Sequence, residues 1–131
     1  MTTQLLPTKP STQLLRLLIV DDAAEVRRDL RLLLSLSGAV EVAGEAANGR
    51  EALQQAEHLR PDVVLLDLEM PVMDGYEAAR QIKARWPGCR VVAFSVHSYP
   101  SARQKAAVAG VDEFIEKGAP LREILQKIGL L

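Results

Sequence analysis

The chain contains an unbroken apolar run, Val63 to Leu66, that lies between Pro61 and Pro71 and leads directly into an acid, Asp67. A run of this length without a polar interruption is typical of a strand buried on both faces, as in a parallel sheet covered by helices. Asp67 then lies at the carboxyl end of the strand, the edge where open parallel sheets bind ligands. Taken alone, Asp67 could equally begin a turn, so the other strand ends must decide.

Similar short apolar runs alternate along the chain with segments of helical periodicity. We predict strands over 14–20, 40–44, 62–66, 90–94 and 111–116, and helices over 23–36, 50–59, 75–86, 101–109 and 121–128. This alternation with short connections predicts an α/β fold, a parallel sheet with helices on both faces. The fourth predicted helix can bury only small side chains, so we expect it to be loosely held. Those side chains are Ala102, Ala106 and Ala109.

The first predicted helix has an apolar side and a basic side. Its arginines, Arg27, Arg28 and Arg31, are interpreted as a solvated face, with docking of a partner as the alternative. The predicted inner face consists of Val26, Leu30, Leu33 and Leu34.

Length and composition predict one domain over 14–131, preceded by a disordered or loosely ordered leader over 1–13. The 16 basic and 17 acidic residues nearly cancel, which argues against direct binding of nucleic acid or an acidic membrane surface. Neither a signal peptide nor a membrane-spanning run is evident. Cys89 is the single cysteine, so no internal disulfide can form, and a cytoplasmic location is expected.

Polar residues follow four of the predicted strands. Asp21 and Asp22 follow the first, Asp67 the third, Ser95 the fourth and Lys117 the fifth. All should converge at one edge of a parallel sheet. Three carboxylates within about 4–5 Å would repel one another by several kcal/mol at an effective dielectric constant near 20. Either one of them is protonated or a cation lies among them.

The residue types at this edge favour magnesium and phosphoryl transfer. Oxygen ligands with room for water suit Mg²⁺, whereas zinc would require a cluster of Cys or His. Lys117 supplies a positive charge for a phosphoryl oxygen, and Ser95 supplies a hydroxyl. Asp67 is the expected nucleophile, with an aspartyl phosphate as product. No GxxxxGK[ST] phosphate loop is present, so the donor should be a small phosphorylated molecule or a phosphorylated protein.

Four motifs occur in this order along the chain: Val20-Asp21-Asp22, Leu66 to Gly75, Phe94-Ser95 and Phe114 to Gly118. On these motifs, the chain resembles the receiver domains of response regulators in two-component signalling. The resemblance covers about residues 15–128. It implies a flavodoxin-like, doubly wound (βα)5 sheet with strand order 2-1-3-4-5.

The resemblance also implies a ligand set and a phosphodonor. Asp67 would accept a phosphoryl group from a histidine kinase or a histidine phosphotransfer protein. Asp21, Asp22 and Asp67 would hold Mg²⁺, together with the backbone carbonyl of Glu69. The chain would then be a switch and not an enzyme with a substrate of its own.

The remaining implied roles concern signalling. Ser95 and Lys117 would contact the phosphoryl group, and Phe114 would move inward as Ser95 moves. Glu69 and His97 would set the lifetime of the phosphorylated state. The surface of the fourth helix, fifth strand and fifth helix would change and control a partner or an output domain, and it is also the expected surface for a dimer.

Lys117 is followed by Gly118-Ala119, whereas the family often has Lys-Pro. This feature and the stretch 40–53 resemble the subgroup that carries a helix-turn-helix DNA-binding domain. The chain ends at Leu131 without such a domain, so two interpretations stay open: a stand-alone receiver that acts through protein contacts and, as the alternative, the receiver part of a longer DNA-binding regulator.

Three other classes are less well supported. Phosphatases of the haloacid dehalogenase type have Asp-x-Asp after the first strand, whereas Leu68-Glu69 follow Asp67. A flavodoxin-like cofactor binder would place three acids against the FMN phosphate. The complete set of acids, serine and lysine argues against a degenerate receiver used only for docking.

Overall fold

The computed structural model describes residues 13–130, so the predicted leader lies outside the described residues except for Gln13. Strands and helices alternate through the described part, and none of its helices is long and apolar enough to cross a membrane. The elements are β1 (Leu15–Val20), α1 (Ala24–Leu36), β2 (Val40–Ala46), α2 (Gly49–Leu59), β3 (Val63–Leu66), α3 (Gly75–Arg85), β4 (Arg90–Ser95), α4 (Pro100–Val108), β5 (Glu113–Glu116) and α5 (Leu121–Ile128).

The five strands form one parallel sheet in the order β2-β1-β3-β4-β5. This confirms the predicted flavodoxin-like fold. The predicted start of β5 at Val111 is wrong, because the Val111 amide donates to the Ala106 carbonyl at 3.1 Å and so completes the end of α4. Gly110, with φ of +99°, makes this left-handed turn at low cost.

Both faces of the sheet are covered. Val64 and Leu66 of β3 pack with α2, α3 and α4 on one face, whereas Val63 and Leu65 pack with α1 and α5 on the other. The unbroken apolar run therefore reflects burial on two sides. From α4 itself, only Ala102 and Ala106 are buried, so this helix contributes little apolar surface to the core.

The inner face of α1 differs from the prediction in two respects. Leu30 and Leu34 are buried, but Leu33 is 37% exposed. The Arg27 side chain is only 19% exposed and pairs with Glu45 of β2, so its assignment to a solvated face is wrong. Arg27, Leu30 and Leu34 have the spacing i, i+3, i+7 and share one face, whereas Leu33 lies to the side of it.

Candidate acidic site at the strand ends

The carboxyl ends of the strands bring three acids and a lysine together. Asp21 and Asp22 follow β1, Asp67 follows β3, and their carboxylate oxygens lie within 4.8 Å of one another. Lys117 follows β5, and its Nζ lies 2.8 Å from Asp21 Oδ2 and 3.5 Å from Asp67 Oδ2. An ammonium group thus bridges two of the three carboxylates.

Asp21 is held at every polar atom except one. Its amide donates to the Ala46 carbonyl at 3.0 Å, its Oδ1 accepts from the Ala23 amide at 2.9 Å, and its carbonyl accepts from Arg27 Nη1 at 2.6 Å. Asp21 Oδ2 is fully buried and has no donor in hydrogen-bond geometry among the described residues. Lys117 Nζ contacts this oxygen at 2.8 Å as an ion pair. The remaining lone pairs of Asp21 Oδ2 therefore face the acidic cluster.

Asp67 is 5% exposed, and its Oδ1 accepts from the Glu69 amide at 3.3 Å. Burial, and then the negative charge of Asp21, raise the pKa of Asp67 to about 6, although Lys117 acts in the opposite direction. Burial lowers the pKa of Lys117, but the Asp21 and Asp67 carboxylates outweigh it and raise this pKa above the ordinary value. Without a bound cation, the Lys117 ammonium alone therefore does not balance the carboxylates of the cluster.

This donor set fits a magnesium ion. It offers only oxygen atoms, one of them a buried oxygen without a hydrogen-bond donor, and Asp22 at its edge is exposed to water. Mg²⁺ commonly takes one or two carboxylates and keeps several waters. A divalent cation would also oppose the burial and the repulsion by Asp21 that raise the pKa of Asp67.

The loop between β3 and α3 is fixed by close backbone contacts. The Gly75 amide donates to the Leu68 carbonyl at 3.0 Å, and a Cβ on Gly75 would collide with the Asp67 carbonyl. Between them, the Met73 amide donates to the Pro71 carbonyl at 2.8 Å across Val72, whose φ is +71°. A β-branched residue in a γ-turn of this sign is strained, and no local sequence signal predicts it.

A polar bridge joins the loops that follow β3 and β4. Ser95 is 2% exposed, and its Oγ accepts from the His97 amide at 3.1 Å. His97 Nε2 lies 3.2 Å from Glu69 Oε1, and the Tyr99 ring centroid is 5.7 Å from that of His97. Glu69 and His97 are thus paired at the rim of the acidic cluster.

Phe114 of β5 lies inward, with 7% of its surface exposed. The Arg103 guanidinium lies 4.6 Å from the centroid of the Phe114 ring, and Arg103 Nε donates to the Ser98 carbonyl at 2.9 Å. Arg27 and Arg103 were both missed as candidate site residues. Their sequence signal is that of ordinary arginines on helix surfaces, and only tertiary contacts distinguish them.

The fold and the acidic cluster together define a flavodoxin-like α/β domain whose strand ends carry a group of acids that could hold a metal ion. Residues 17–129 match the family model of the response regulator receiver domain. The chain therefore belongs to the receiver domains of two-component signalling.

Curated relatives and solved structures agree with this assignment. The chain is 47% identical over 104 residues to a protein-glutamate methylesterase/protein-glutamine glutaminase of Alkalilimnicola ehrlichii, covering 78% of this chain but only 26% of that protein. It is 40% identical over 102 residues to the chemotaxis protein CheY of Thermotoga maritima, covering 78% and 84% of the two chains. A DNA-binding response regulator of the LuxR family from Staphylococcus aureus superposes with a TM-score of 0.82 at 30% identity, covering 88% and 96%.

Proposed function

We propose that the chain is a phosphorylation-dependent switch in which Asp67 accepts a phosphoryl group from a histidine kinase or a histidine phosphotransfer protein, with Mg²⁺ as cofactor. The observation that carries the proposal is the Lys117 ammonium between the carboxylates of Asp21 and Asp67. Asp21, Asp22 and Asp67 would hold the ion, with the Glu69 carbonyl as a further ligand. When bound, the ion would neutralise negative charge on the transferring phosphoryl group.

In this proposal an Asp67 oxygen forms a bond to phosphorus while the bond from phosphorus to the donor imidazole nitrogen breaks. Lys117 already contacts Asp67 Oδ2 and would pair with a phosphoryl oxygen on that carboxylate. Ser95 supplies a hydroxyl from the end of β4, the neighbouring strand. The fixed geometry of Asp21 and of the β3–α3 loop supports in-line positioning.

The output surface would be formed by α4, β5 and α5. Support comes from α4, which buries only alanines, and from Phe114, which packs beneath α4 and is covered by Arg103. An element with so little buried surface changes position at a small free-energy cost. A downstream protein, an output domain or a second copy would recognise the change.

Glu69 and His97 would set the lifetime of the phosphorylated state. Their side chains lie 3.2 Å apart, and the Glu69 amide donates to Asp67 Oδ1, so the pair would control the approach of water to the phosphorus atom. Replacing both residues by alanine should change the rate at which Asp67 loses phosphate. An unchanged rate would remove this role.

The test of the switch is incubation with acetyl phosphate and Mg²⁺, followed by intact-mass spectrometry and NMR. We expect the mass of one added phosphoryl group and shifts of α4 and β5 resonances. Asp67→Asn should abolish the added mass, and Lys117→Ala should greatly reduce the shifts. No added mass on the wild type with acetyl phosphate or a phosphorylated kinase would contradict the proposal.

The receiver part of a longer DNA-binding regulator is the second candidate. It is favoured by the likeness to the receiver of the LuxR-family regulator from Staphylococcus aureus. Determining whether the reading frame continues beyond Leu131 separates the two candidates.

A further inference from the structure

Arg27 is tied to the acidic site through the backbone of Asp21. Its Nη1 donates to the Asp21 carbonyl at 2.6 Å, while its Nε donates to Glu45 Oε1 at 3.0 Å. The planar guanidinium therefore spans α1, β2 and the β1–α1 junction. The fixed geometry of its donors allows it to hold both acceptors at once.

Glu45 is itself held from two sides. Arg31 Nε donates to Glu45 Oε2 at 2.6 Å, so each oxygen of this carboxylate has an arginine partner. The hydrogen bond from Arg31 lowers the pKa of Glu45, burial opposes this effect, and Arg27 adds to the lowering. The carboxylate is a stable anchor for Arg27 at neutral pH.

Strand β2 thus fixes Asp21 by two routes. Ala46 accepts the Asp21 amide at 3.0 Å, and the adjacent Glu45 holds the Asp21 carbonyl through Arg27. With Oδ1 bound to the Ala23 amide, the only polar atom of Asp21 left without a hydrogen-bond donor is Oδ2. These three fixed points hold the rest of Asp21 in place, while Lys117 Nζ pairs with Oδ2 at 2.8 Å.

We infer that Arg27 is a positioning residue for the magnesium site, acting through the Asp21 carbonyl to aim Asp21 Oδ2 into the cluster. This inference rests on the proposed function, because it requires that the cluster bind the ion. Outer partners that orient metal ligands commonly change metal affinity by about 10–100-fold when they are removed. The contact of Arg27 is to the backbone, so it also fixes the start of the turn that carries Asp22.

The direction in which Mg²⁺ affinity changes on replacing Arg27 distinguishes a positioning role from an effect of its charge. Arg27 is a cation near a cation site, so if only its charge mattered, its removal would tighten Mg²⁺ binding. If it positions Asp21, its removal weakens binding. Arg28, the next residue, is exposed and has the same charge, which makes Arg28→Gln the matched control.

The experiment measures the Mg²⁺ dissociation constant by isothermal titration calorimetry for the wild type, Arg27→Gln, Arg27→Lys and Arg28→Gln. Urea unfolding of each apoprotein confirms that the titrated protein is folded. We expect the dissociation constant to rise about tenfold in Arg27→Gln, at the lower end of the range for outer partners. In Arg27→Lys the rise should be about threefold, because lysine keeps the charge but cannot span both acceptors. Arg28→Gln should bind as tightly as the wild type or slightly tighter.

An unchanged or lower dissociation constant in Arg27→Gln would overturn the positioning role while leaving the magnesium site intact. If Arg27→Gln does not fold, Arg27→Lys decides, and wild-type affinity in that variant overturns the inference. Absence of Mg²⁺ binding by the wild type would overturn both the inference and the proposed function, so the two failures are distinguishable.

Discussion

At the scale of single residues, the backbone at Val72 is under strain in a loop next to the acidic cluster. Its φ of +71° is unfavourable for a β-branched side chain, and that side chain is 74% exposed, so packing does not compensate. Replacing Val72 by glycine removes this strain, which stabilises the folded protein by on the order of 1–3 kcal/mol. Glycine also increases the conformational entropy of the unfolded chain, which destabilises the folded protein by about 0.4–1 kcal/mol. We expect Val72→Gly to raise the free energy of unfolding by about 1 kcal/mol in urea titrations.

The matched control is Val96→Gly, at another exposed valine outside the left-handed region. This variant lacks strain to relieve, so it should be slightly destabilised by chain entropy. Equal effects of the two substitutions would mean that the turn at Val72 stores no strain.

Cys89 is a second residue whose surroundings decide its chemistry. Burial raises the pKa of its thiol to about 11, with Lys83 acting in the opposite direction and Asp112 adding to the rise. Because the pKa of the buried thiol is so high, its thiolate at pH 8 is about a hundredfold scarcer than that of a free thiol. Labelling by Ellman's reagent at pH 8 should be slow in native protein and fast in urea. Equal rates would contradict this expectation.

At the scale of elements, hydrophobic periodicity is sufficient to predict each strand and helix, because burial on one or two faces leaves a local pattern. Contacts between distant segments leave no such pattern. Arg27 and Glu45 lie 18 residues apart, and neither spacing nor composition indicates that they pair. The start of β5 was missed for a related reason, since Val111 looks like a strand residue but its amide closes α4.

The candidate site likewise combines residues that the sequence indicates with features that only the structure shows. The acids, Ser95 and Lys117 could be found from the sequence, because the carboxyl ends of parallel strands share one edge. The buried Oδ2 of Asp21 and the inward position of Phe114 depend on tertiary packing and could not.

The packing of α4 leads to a prediction for its dynamics. Its core contribution is Ala102 and Ala106, whereas Arg103 fastens its first turn to the Ser98 carbonyl and covers Phe114. Loss of a cation–π contact and of one hydrogen bond costs about 1–2 kcal/mol. Arg103→Ala should therefore accelerate amide exchange in α4 about tenfold or more in hydrogen–deuterium exchange by mass spectrometry.

Gln104→Ala is the control, since this side chain is exposed on the same helix. Exchange in α3 should be unaffected in both variants, because Ile82 and Ala79 anchor that helix in the core. Unchanged α4 exchange in Arg103→Ala would show that the alanines alone hold the helix.

At the scale of the whole molecule, the acidic cluster couples stability to pH. The pKa of Asp67 is raised to about 6 from an unfolded value near 3.8, so the folded protein binds the proton more tightly. The associated stability is present below about pH 4 and is lost as pH rises through about 6. In EDTA at pH 7, Asp67→Asn should be more stable than the wild type by about 1–3 kcal/mol.

This advantage should disappear at pH 4, where Asp67 is neutral in the folded protein. Urea unfolding at several pH values measures the difference. Asp29→Asn, at an exposed acid of α1 outside the cluster, is the control for the loss of one negative charge. A constant difference between Asp67→Asn and the wild type would mean that the Asp67 pKa is not raised.

Magnesium should reverse the order of stability of these two proteins. An ion that binds only the folded chain stabilises it by about 2.7 kcal/mol at a hundredfold excess over the dissociation constant. The ion would also offset the burial of the Asp67 carboxylate and its repulsion by Asp21, which together destabilise the wild type at neutral pH. Asp67→Asn lacks one ligand and has less repulsion to relieve, so it gains less. We therefore expect the wild type to be less stable than Asp67→Asn in EDTA and at least as stable as this variant in excess Mg²⁺. Sodium chloride of equal ionic strength is the control and should leave the wild type less stable than Asp67→Asn. Equal gains with Mg²⁺ in both proteins would place the ion outside the cluster of Asp21, Asp22 and Asp67.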